Sequence, residues 1–353
     1  MENQSANTVN DPRPRIALLM GDCTGIGPEL VANVLHGKRL NDAARLVVVG
    51  DARVLELGMR DAGVELRWVK VPNTAAIDWS SGAVPLIDLG NVDPSRFERG
   101  KVSAESGKLT GDTLAYAIEM ARRGEVDAIT FAPLNKRALF DGGWHFPDEH
   151  KMFAHLLGHE GYFSEMNVLD GQWMSRVTGH IALREALNQI TPQRIREAII
   201  LADTMMRRAG IENPRIAVNA LNPHGGDNGL FGREEIELIR PVVQEMAARG
   251  INCSAPYPPD TIFIRAFAGE FDSVVSMYHD QGQIATKLHG FHRGVTITAG
   301  LATVFTTPAH GTAFDIVGKG VAKTGALENA LHLAARLASN KLREDAPKQP
   351  ARR

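Results

Sequence analysis

The run IALLM (16–20) passes without a break into GDCTGIGPEL (21–30). Five apolar residues in a row are what a strand buried on both faces requires. Gly21, Gly25 and Gly27 permit a tight turn, and Pro28 suits the first turn of a helix predicted over 28–35. Free N–H groups at such a helix start make an anion-friendly corner. The glycine spacing is not G-x-G-x-x-G, so a Rossmann dinucleotide fingerprint is not supported. The same rhythm recurs. LVVV (46–49) reads as a second buried strand, ended by Gly50 and Asp51. A helix over 110–123 leads to the strand VDAITF (126–131), which ends in APLNK. A helix over 191–209 leads to a strand at 216–221, and a helix over 233–249 leads to a segment at 251–254. PYPP (256–259) reads as a turn cluster. SVVSM (273–277), 295–299 and 303–306 are further strands. A closing amphipathic helix over 325–343 carries Leu327, Ala330, Leu331, Ala334 and Leu337 on one face. Helix alternating with apolar strand predicts an α/β fold with a largely parallel sheet. A length of 353 residues favours two lobes around a cleft. No Ser/Pro-rich linker separates them, so the lobes are expected to exchange strands.

Charge narrows the function. The formal net charge is -2, which gives no basic footprint for nucleic acid or an anionic membrane. No apolar run approaches roughly 18 residues, so no membrane span is expected. Two cysteines, Cys23 and Cys253, are too few for a disulfide framework and fit a reducing, cytoplasmic setting. Residues 1–14 and 344–353 read as flexible tails, and the former has no apolar signal core.

The chemistry gathers in MYHDQGQIATKLHGFHRG (277–294). His279 and Asp280 follow an apolar run and precede a turn opened by Gly282, where open α/β sheets place their chemistry. His180 ends RVTGH, and His224 follows a strand in LNPHGG. Each histidine alone is as readily a hydrogen-bonded structural residue. Together, three strand-end imidazoles suit a zinc- or cobalt-like divalent ion with positions left for substrate. Asp280 would orient a ligand imidazole, or simply cap a turn. Lys287 would hold a carboxylate or act as acid or base, or be a solvated surface lysine. Arg293, between glycines, would clamp an anion or lie in an exposed loop. In PDEHKMFAHLLGH, His155 and His159 share a helical face but lack the Glu of a zinc-protease motif. His150, with Lys151 beside it, is the better site candidate, read as lying on a loop before the helix. TTPAHGTAFDIVGKGVA (306–322) places His310, Gly311, Thr312 and Asp315 on a small-residue loop able to receive a flat ring, with Asp315 toward a ribose.

The segments GDCTGIGPEL, ITFAPLNK, LNPHGGDNGLFGREE, PPDTIF, MYHDQGQIATK and HGTAFDIVGKG occur in the order seen in the 4-hydroxythreonine-4-phosphate dehydrogenase family, which the chain resembles over roughly 16–337. The HGTAFDIVGKG loop is also similar to the adenosine-binding loop of isopropylmalate and isocitrate dehydrogenases. The resemblance implies a two-lobed fold of that kind and a homodimer whose cleft the neighbouring subunit helps to build. It implies a divalent metal (Zn, Co or Mg) on His180, His224 and His279, and NAD or NADP along the His310, Gly311, Thr312 and Asp315 loop. It implies oxidation of a β-hydroxy acid with decarboxylation of the β-keto product, as in conversion of 4-phosphooxy-L-threonine to 3-amino-2-oxopropyl phosphate. Lys287 and Asp260 would be catalytic; His150, Lys151, Lys287, Thr296 and Arg293 would bind substrate. The cofactor-side lobe would comprise 15–130 and 300–345, and the substrate, metal and dimerisation lobe 131–299.

The chain departs from the family's pattern near the substrate. Biosynthetic members read Gly-His-Thr-Glu where Glu149-His150-Lys151-Met152 stand, Asn at Thr296 and Arg at Phe305. Loss of that guanidinium points to weaker selection for phosphate. Alternatives are therefore a phosphorylated threonate or erythronate, a cis-dihydrodiol carboxylate, or a metabolite-binding protein without catalysis.

Overall fold

The computed structural model describes residues 11–290 and 292–345. Among these residues twelve strands form one sheet: β1 (Arg15–Leu19), β2 (Arg45–Gly50), β3 (Trp68–Lys70), β4 (Val84–Asp88), β5 (Ala128–Phe131), β6 (Ser164–Leu169), β7 (Gln172–Arg176), β8 (Ile216–Asn219), β9 (Cys253–Tyr257), β10 (Ser273–Ser276), β11 (Val295–Ala299) and β12 (Val304–Pro308). Their order is β3-β4-β2-β1-β5-β12-β11-β6-β7-β10-β8-β9. The expected α/β class with a largely parallel sheet holds. Only the β12–β11, β11–β6 and β6–β7 steps are antiparallel. Three reversals in succession mean the two parallel halves run in opposite directions. The antiparallel centre is where they meet.

Among the described residues eleven α-helices cover the sheet: α1 (Gly27–Gly37), α2 (Ala52–Ala62), α3 (Ala104–Arg122), α4 (Lys136–Asp141), α5 (Glu149–Leu156), α6 (Leu183–Gln189), α7 (Pro192–Arg208), α8 (Arg240–Ala248), α9 (Ile262–Phe267), α10 (His279–Gly290) and α11 (Gly325–Asp345). Several starts are set by short polar side chains that accept a free backbone N–H. Ser103 caps α3 through Ser106 N at 3.2 Å, and Asp148 caps α5 through Lys151 N at 2.9 Å. These caps explain two differences from the sequence reading. Helix α3 begins at Ala104 rather than 110. His150 lies inside the first turn of α5, buried, and not on a loop. The predicted helix over 233–249 is divided: Glu235–Ile239 forms a π-turn before α8. Pro241 has no N–H to return to Glu237, which breaks the regular ladder there. Strand β9 extends through Tyr257, so part of the PYPP turn is strand. The closing helix runs to Asp345, two residues past its expected end, and residues 1–10 and 346–353 of the expected tails lie outside the described residues.

The core follows the sheet. Ile16, Leu18, Val48, Val275 and Ile297 are fully buried, with Leu327, Leu331 and Leu337 of α11 packed over them. The turn after β1 is also buried, and its anion-friendly corner is occupied by protein. Thr312 C=O accepts from Ile26 N at 3.1 Å, and a Cβ placed on Gly21 would meet Ala132 O at 2.4 Å. That corner therefore supports the 310–312 loop from behind.

Candidate active site

The antiparallel centre of the sheet makes the floor of a cleft. Strand alternation puts Glu165 and Asn167 of β6 on one face, and Thr296 and Thr298 of β11 on the same face. The register pairs Thr296 with Asn167 and Thr298 with Glu165. Asn167 Nδ2 donates to Thr296 Oγ1 at 3.0 Å and to Glu165 Oε1 at 3.2 Å. Behind them, the buried Arg176 guanidinium donates to Glu165 Oε1 at 3.0 Å and to the Asn167 carbonyl. Turned so that its carbonyl faces Arg176, the Gln283 amide accepts from it at 2.9 Å. Burial works to raise the Glu165 pKa, but Arg176 and then His150 hold it well below the usual carboxylate range.

His180, His279, His150, Lys287, Thr296, His310 and Gly311 line one cavity of about 710 Å³ with these groups. The meeting of His180 and His279 follows from strand order. β7 and β10 are parallel neighbours with Arg176 opposite Ser276, and the pairing continues as Val177 N donates to Ser276 O at 2.8 Å. Each histidine follows its strand within a few residues, so the two rings arrive 5.0 Å apart. His279 begins α10 rather than a turn. Gln283 and Lys287 follow at successive four-residue steps, which places all three along one helical stripe. His279 Nδ1 lies 2.7 Å from Asp280 Oδ1, which leaves Nε2 for a ligand. Burial lowers the His279 pKa despite the Asp280 hydrogen bond. Burial would also lower that of His150, but Glu149 and Glu165 outweigh it and raise it. His150 Nδ1 contacts Thr298 Oγ1 at 2.6 Å.

His224 is exposed, on the loop after β8, and does not reach the other two within one chain. Among the described residues no three His, Cys, Asp or Glu side chains gather as a metal site. The His224 loop is built with care nonetheless. His224, Asp227 and Asn228 take positive φ of 54°, 41° and 53°, a conformation that costs non-glycine residues energy and clusters at functional sites. The buried Glu235 carboxylate holds the loop by accepting from Leu221 N and Asn222 N, both at 2.8 Å.

Other candidates lie elsewhere. Asp260 is exposed on the loop between β9 and α9 and does not line the cleft. Lys151 lines a neighbouring cavity that shares His150, Glu165 and His180 with the cleft. Arg293 faces another groove, with its Nη2 2.6 Å from Asp170 Oδ2. Phe305 is fully buried and stacked on Phe153 at 4.3 Å, so it belongs to the core and not to the cleft wall. Asp315 is exposed on a short 3-10 turn, and Thr312 is buried against Gly25. Gly311 is open: a Cβ there would meet nothing within 4 Å.

Sequence reasoning missed Glu165, Asn167, Gln283 and Lys136, all of which line the cleft. Lys136, first residue of α4, places its Nζ 3.2 Å from the buried Glu149. The missed signal was local: Glu165 and Asn167 alternate with Met166 and Val168 in SEMNVL, just before Asp170-Gly171, a hairpin turn pair.

Comparison with known proteins agrees with this architecture. The family model described as pyridoxal phosphate biosynthetic protein PdxA matches residues 42–334. A putative 4-hydroxythreonine-4-phosphate dehydrogenase 2 of Pseudomonas aeruginosa is 46% identical over 330 residues, covering 93% of this chain and 98% of the relative. The crystal structure of a 4-hydroxythreonine-4-phosphate dehydrogenase from Klebsiella pneumoniae is similar at a TM-score of 0.81 and 38% identity, covering 93% of this chain and 98% of that one. A terephthalate 1,2-cis-dihydrodiol dehydrogenase from Burkholderia xenovorans is similar at 0.62 and 27%, covering 92% and 98%.

Proposed function

From the premise that this chain belongs to the PdxA family of pyridoxal phosphate biosynthetic proteins, we propose that it is a metal-dependent, NAD(P)-linked dehydrogenase that oxidises a β-hydroxy acid and releases carbon dioxide from the β-keto product. The observation that carries this reading is a single cavity lined by His180, His279, Lys287 and His310.

His180 and His279 would hold one divalent ion (Zn, Co or Mg), with His224 supplied by a second copy of the chain. The donor set fits such an ion: two close imidazoles, one fixed through Nδ1 by Asp280. When bound, the ion would acidify the substrate hydroxyl and stabilise the charge that develops as carbon dioxide leaves. NAD or NADP would accept the hydride from the carbinol carbon, lying along the loop from His310 to Asp315. The open backbone at Gly311 leaves room for it, and the buried turn after β1 keeps that loop rigid. Asp315 favours NAD, since a carboxylate pairs with a free ribose hydroxyl and repels a 2′-phosphate. Lys287 is exposed to the cleft and would hold the substrate carboxylate. His150 and Thr296 would line the substrate's other end.

Exposed apolar side chains support a homodimer. Ile264, Ile284, Leu288 and Leu230 are 72%, 60%, 84% and 72% exposed on α9, α10 and the loop carrying His224. Apolar side chains grouped in this way mark an interface. Asp260 would then enter the partner's cleft along with His224. Among the described residues no helix is long and apolar enough to cross a membrane.

The test is reduction of NAD and NADP, with carbon dioxide release, against a panel of β-hydroxy acids. Turnover should vanish on chelation and return with added Zn, Co or Mg. No reduction of either cofactor with any acid would leave a silent metabolite-binding protein as the better reading.

A further inference from the structure

The inner wall of the cleft holds a carboxylate oxygen that faces two imidazoles but makes no close hydrogen bond among the described residues. Glu165 Oε1 is committed to Arg176 at 3.0 Å and to Asn167 Nδ2 at 3.2 Å. Glu165 Oε2 makes no hydrogen bond among the described residues. Its nearest basic atoms are His150 Nε2 at 3.5 Å and His180 Nε2 at 3.7 Å. Both are ion-pair distances, longer than an ordinary hydrogen bond, and Glu165 lines the cavity. Three of the cations at this wall already face a carboxylate, and a fourth, Lys287, is the one the reading above gives to the substrate's own carboxylate. Arg176 is paired with Glu165, Lys136 with Glu149, and His150 stands between Glu149 and Glu165. The neighbours of Glu165 on the floor, Asn167, Gln283 and Thr296, are neutral. The arginine that the family resemblance implies at position 305 is here Phe305, packed away in the core.

We propose that Glu165 is a specificity-determining residue: its carboxylate turns the cleft against a phosphorylated tail and toward a β-hydroxy acid whose tail carries a neutral hydroxyl. The inference rests on the dehydrogenase reading above and names its substrate class. A hydroxyl donates a proton to Glu165 Oε2 and accepts from the amide or hydroxyl neighbours. A phosphate brings only acceptors and up to two negative charges to the same place. At separations near 4 Å and the intermediate dielectric of a cleft, that repulsion is on the order of tenfold or more in affinity. A carboxylate present only to neutralise Arg176 would have no such effect on ligand choice.

The experiment uses metal-loaded, full-length protein and the stereoisomers of threonate and erythronate, each with and without a 4-phosphate. Values of kcat/KM with NAD are measured for the parent protein, Glu165→Gln and Glu165→Asp. Calorimetric binding of each acid is measured in parallel. The parent should prefer the unphosphorylated acids. Glu165→Gln should move the ratio toward the phosphates by about tenfold or more, mostly through KM, and Glu165→Asp should restore it in part. Should Glu165→Gln not fold, Gln283→Glu adds a charge to the same wall and should weaken phosphate binding further. A parent preference of tenfold or more for the phosphates, or a ratio unmoved by either variant, overturns the proposal. Absence of turnover with Glu165-dependent selectivity intact in binding sinks the dehydrogenase reading and leaves the selectivity standing.

Discussion

His279 Nδ1 and Asp280 Oδ1 lie 2.7 Å apart at the first turn of α10. The contact fixes the imidazole with Nδ1 toward the carboxylate and Nε2 toward the cleft. Asp280 itself is 69% exposed, so little packing depends on it. Asp280→Ala should therefore weaken zinc or cobalt affinity by about 10- to 100-fold, the usual loss when the carboxylate behind a ligand histidine is removed. Competition with a chromophoric chelator measures it. Thermal unfolding of the metal-free protein should change little, and unchanged metal affinity would refute the role.

Phe305 stacks on Phe153 with centroids 4.3 Å apart and planes at 12°, while Phe131 meets Phe153 edge-on at 5.6 Å. This is a packed aromatic cluster beneath the cleft, so position 305 acts through stability. Phe305→Ala should cost about 3–5 kcal/mol in chemical denaturation, the usual range for a buried aromatic replaced by alanine. KM for substrate should stay near that of the parent at a temperature where the variant is folded. A large rise in KM with unchanged stability would mean that the ring faces the substrate.

These two residues also show where the sequence was legible. Apolar runs located most of the sheet, because strands buried on both faces leave continuous hydrophobic stretches such as IALLM and LVVV. The histidines after those strands were legible for the same reason. Their meeting was not: it depends on β7 and β10 being parallel neighbours in the register Arg176 to Ser276, and periodicity carries no information on strand order. Gly282 was read as opening a turn, yet it sits inside α10. A Cβ there would come within 3.1 Å of Ser276 Oγ, so this glycine marks close helix–strand packing rather than a bend. The floor carboxylate Glu165 was missed because SEMNVL and QWMSR are short strands with few apolar residues, although the Asp170-Gly171 turn between them was visible.

Asp51 gives a pH dependence away from the site. It caps α2 through Arg53 N at 2.9 Å, accepts Val92 N at 2.8 Å and pairs with Arg53 at 2.8 Å. Burial works to raise its pKa, but the Arg53 side chain and the two backbone N–H groups outweigh it, and the folded value lies below the ordinary one. A depressed carboxyl contributes stability that is present above its unfolded pKa of about 3.9 and is lost as pH falls through the folded value. The unfolding free-energy difference between the parent and Asp51→Asn should thus be constant from about pH 5 upward and shrink below about pH 4. Urea midpoints across that window measure it, and a difference independent of pH would remove Asp51 from the acid response.

The exposed His224 supplies the sharpest test of the assembly. Within one chain it does not join His180 and His279, although β8 is the hydrogen-bonded neighbour of β10: His224 is exposed, and no three-ligand group forms among the described residues. Its strained backbone and the Glu235 clamp nevertheless hold it in one conformation facing outward. If a second copy receives it, each cleft uses His180 and His279 from one chain and His224 from the other. His224→Ala and His279→Ala homodimers should both be inactive. Mixed and allowed to exchange subunits, they form heterodimers with one cleft carrying both defects and one cleft carrying none. About half the heterodimer's sites, and so about a quarter of all sites in an equal statistical mixture, should regain activity and metal binding. If the three histidines instead gathered within one chain, no mixture could rebuild an intact site. Mixed samples that stay inactive after demonstrated subunit exchange would therefore place the third ligand elsewhere.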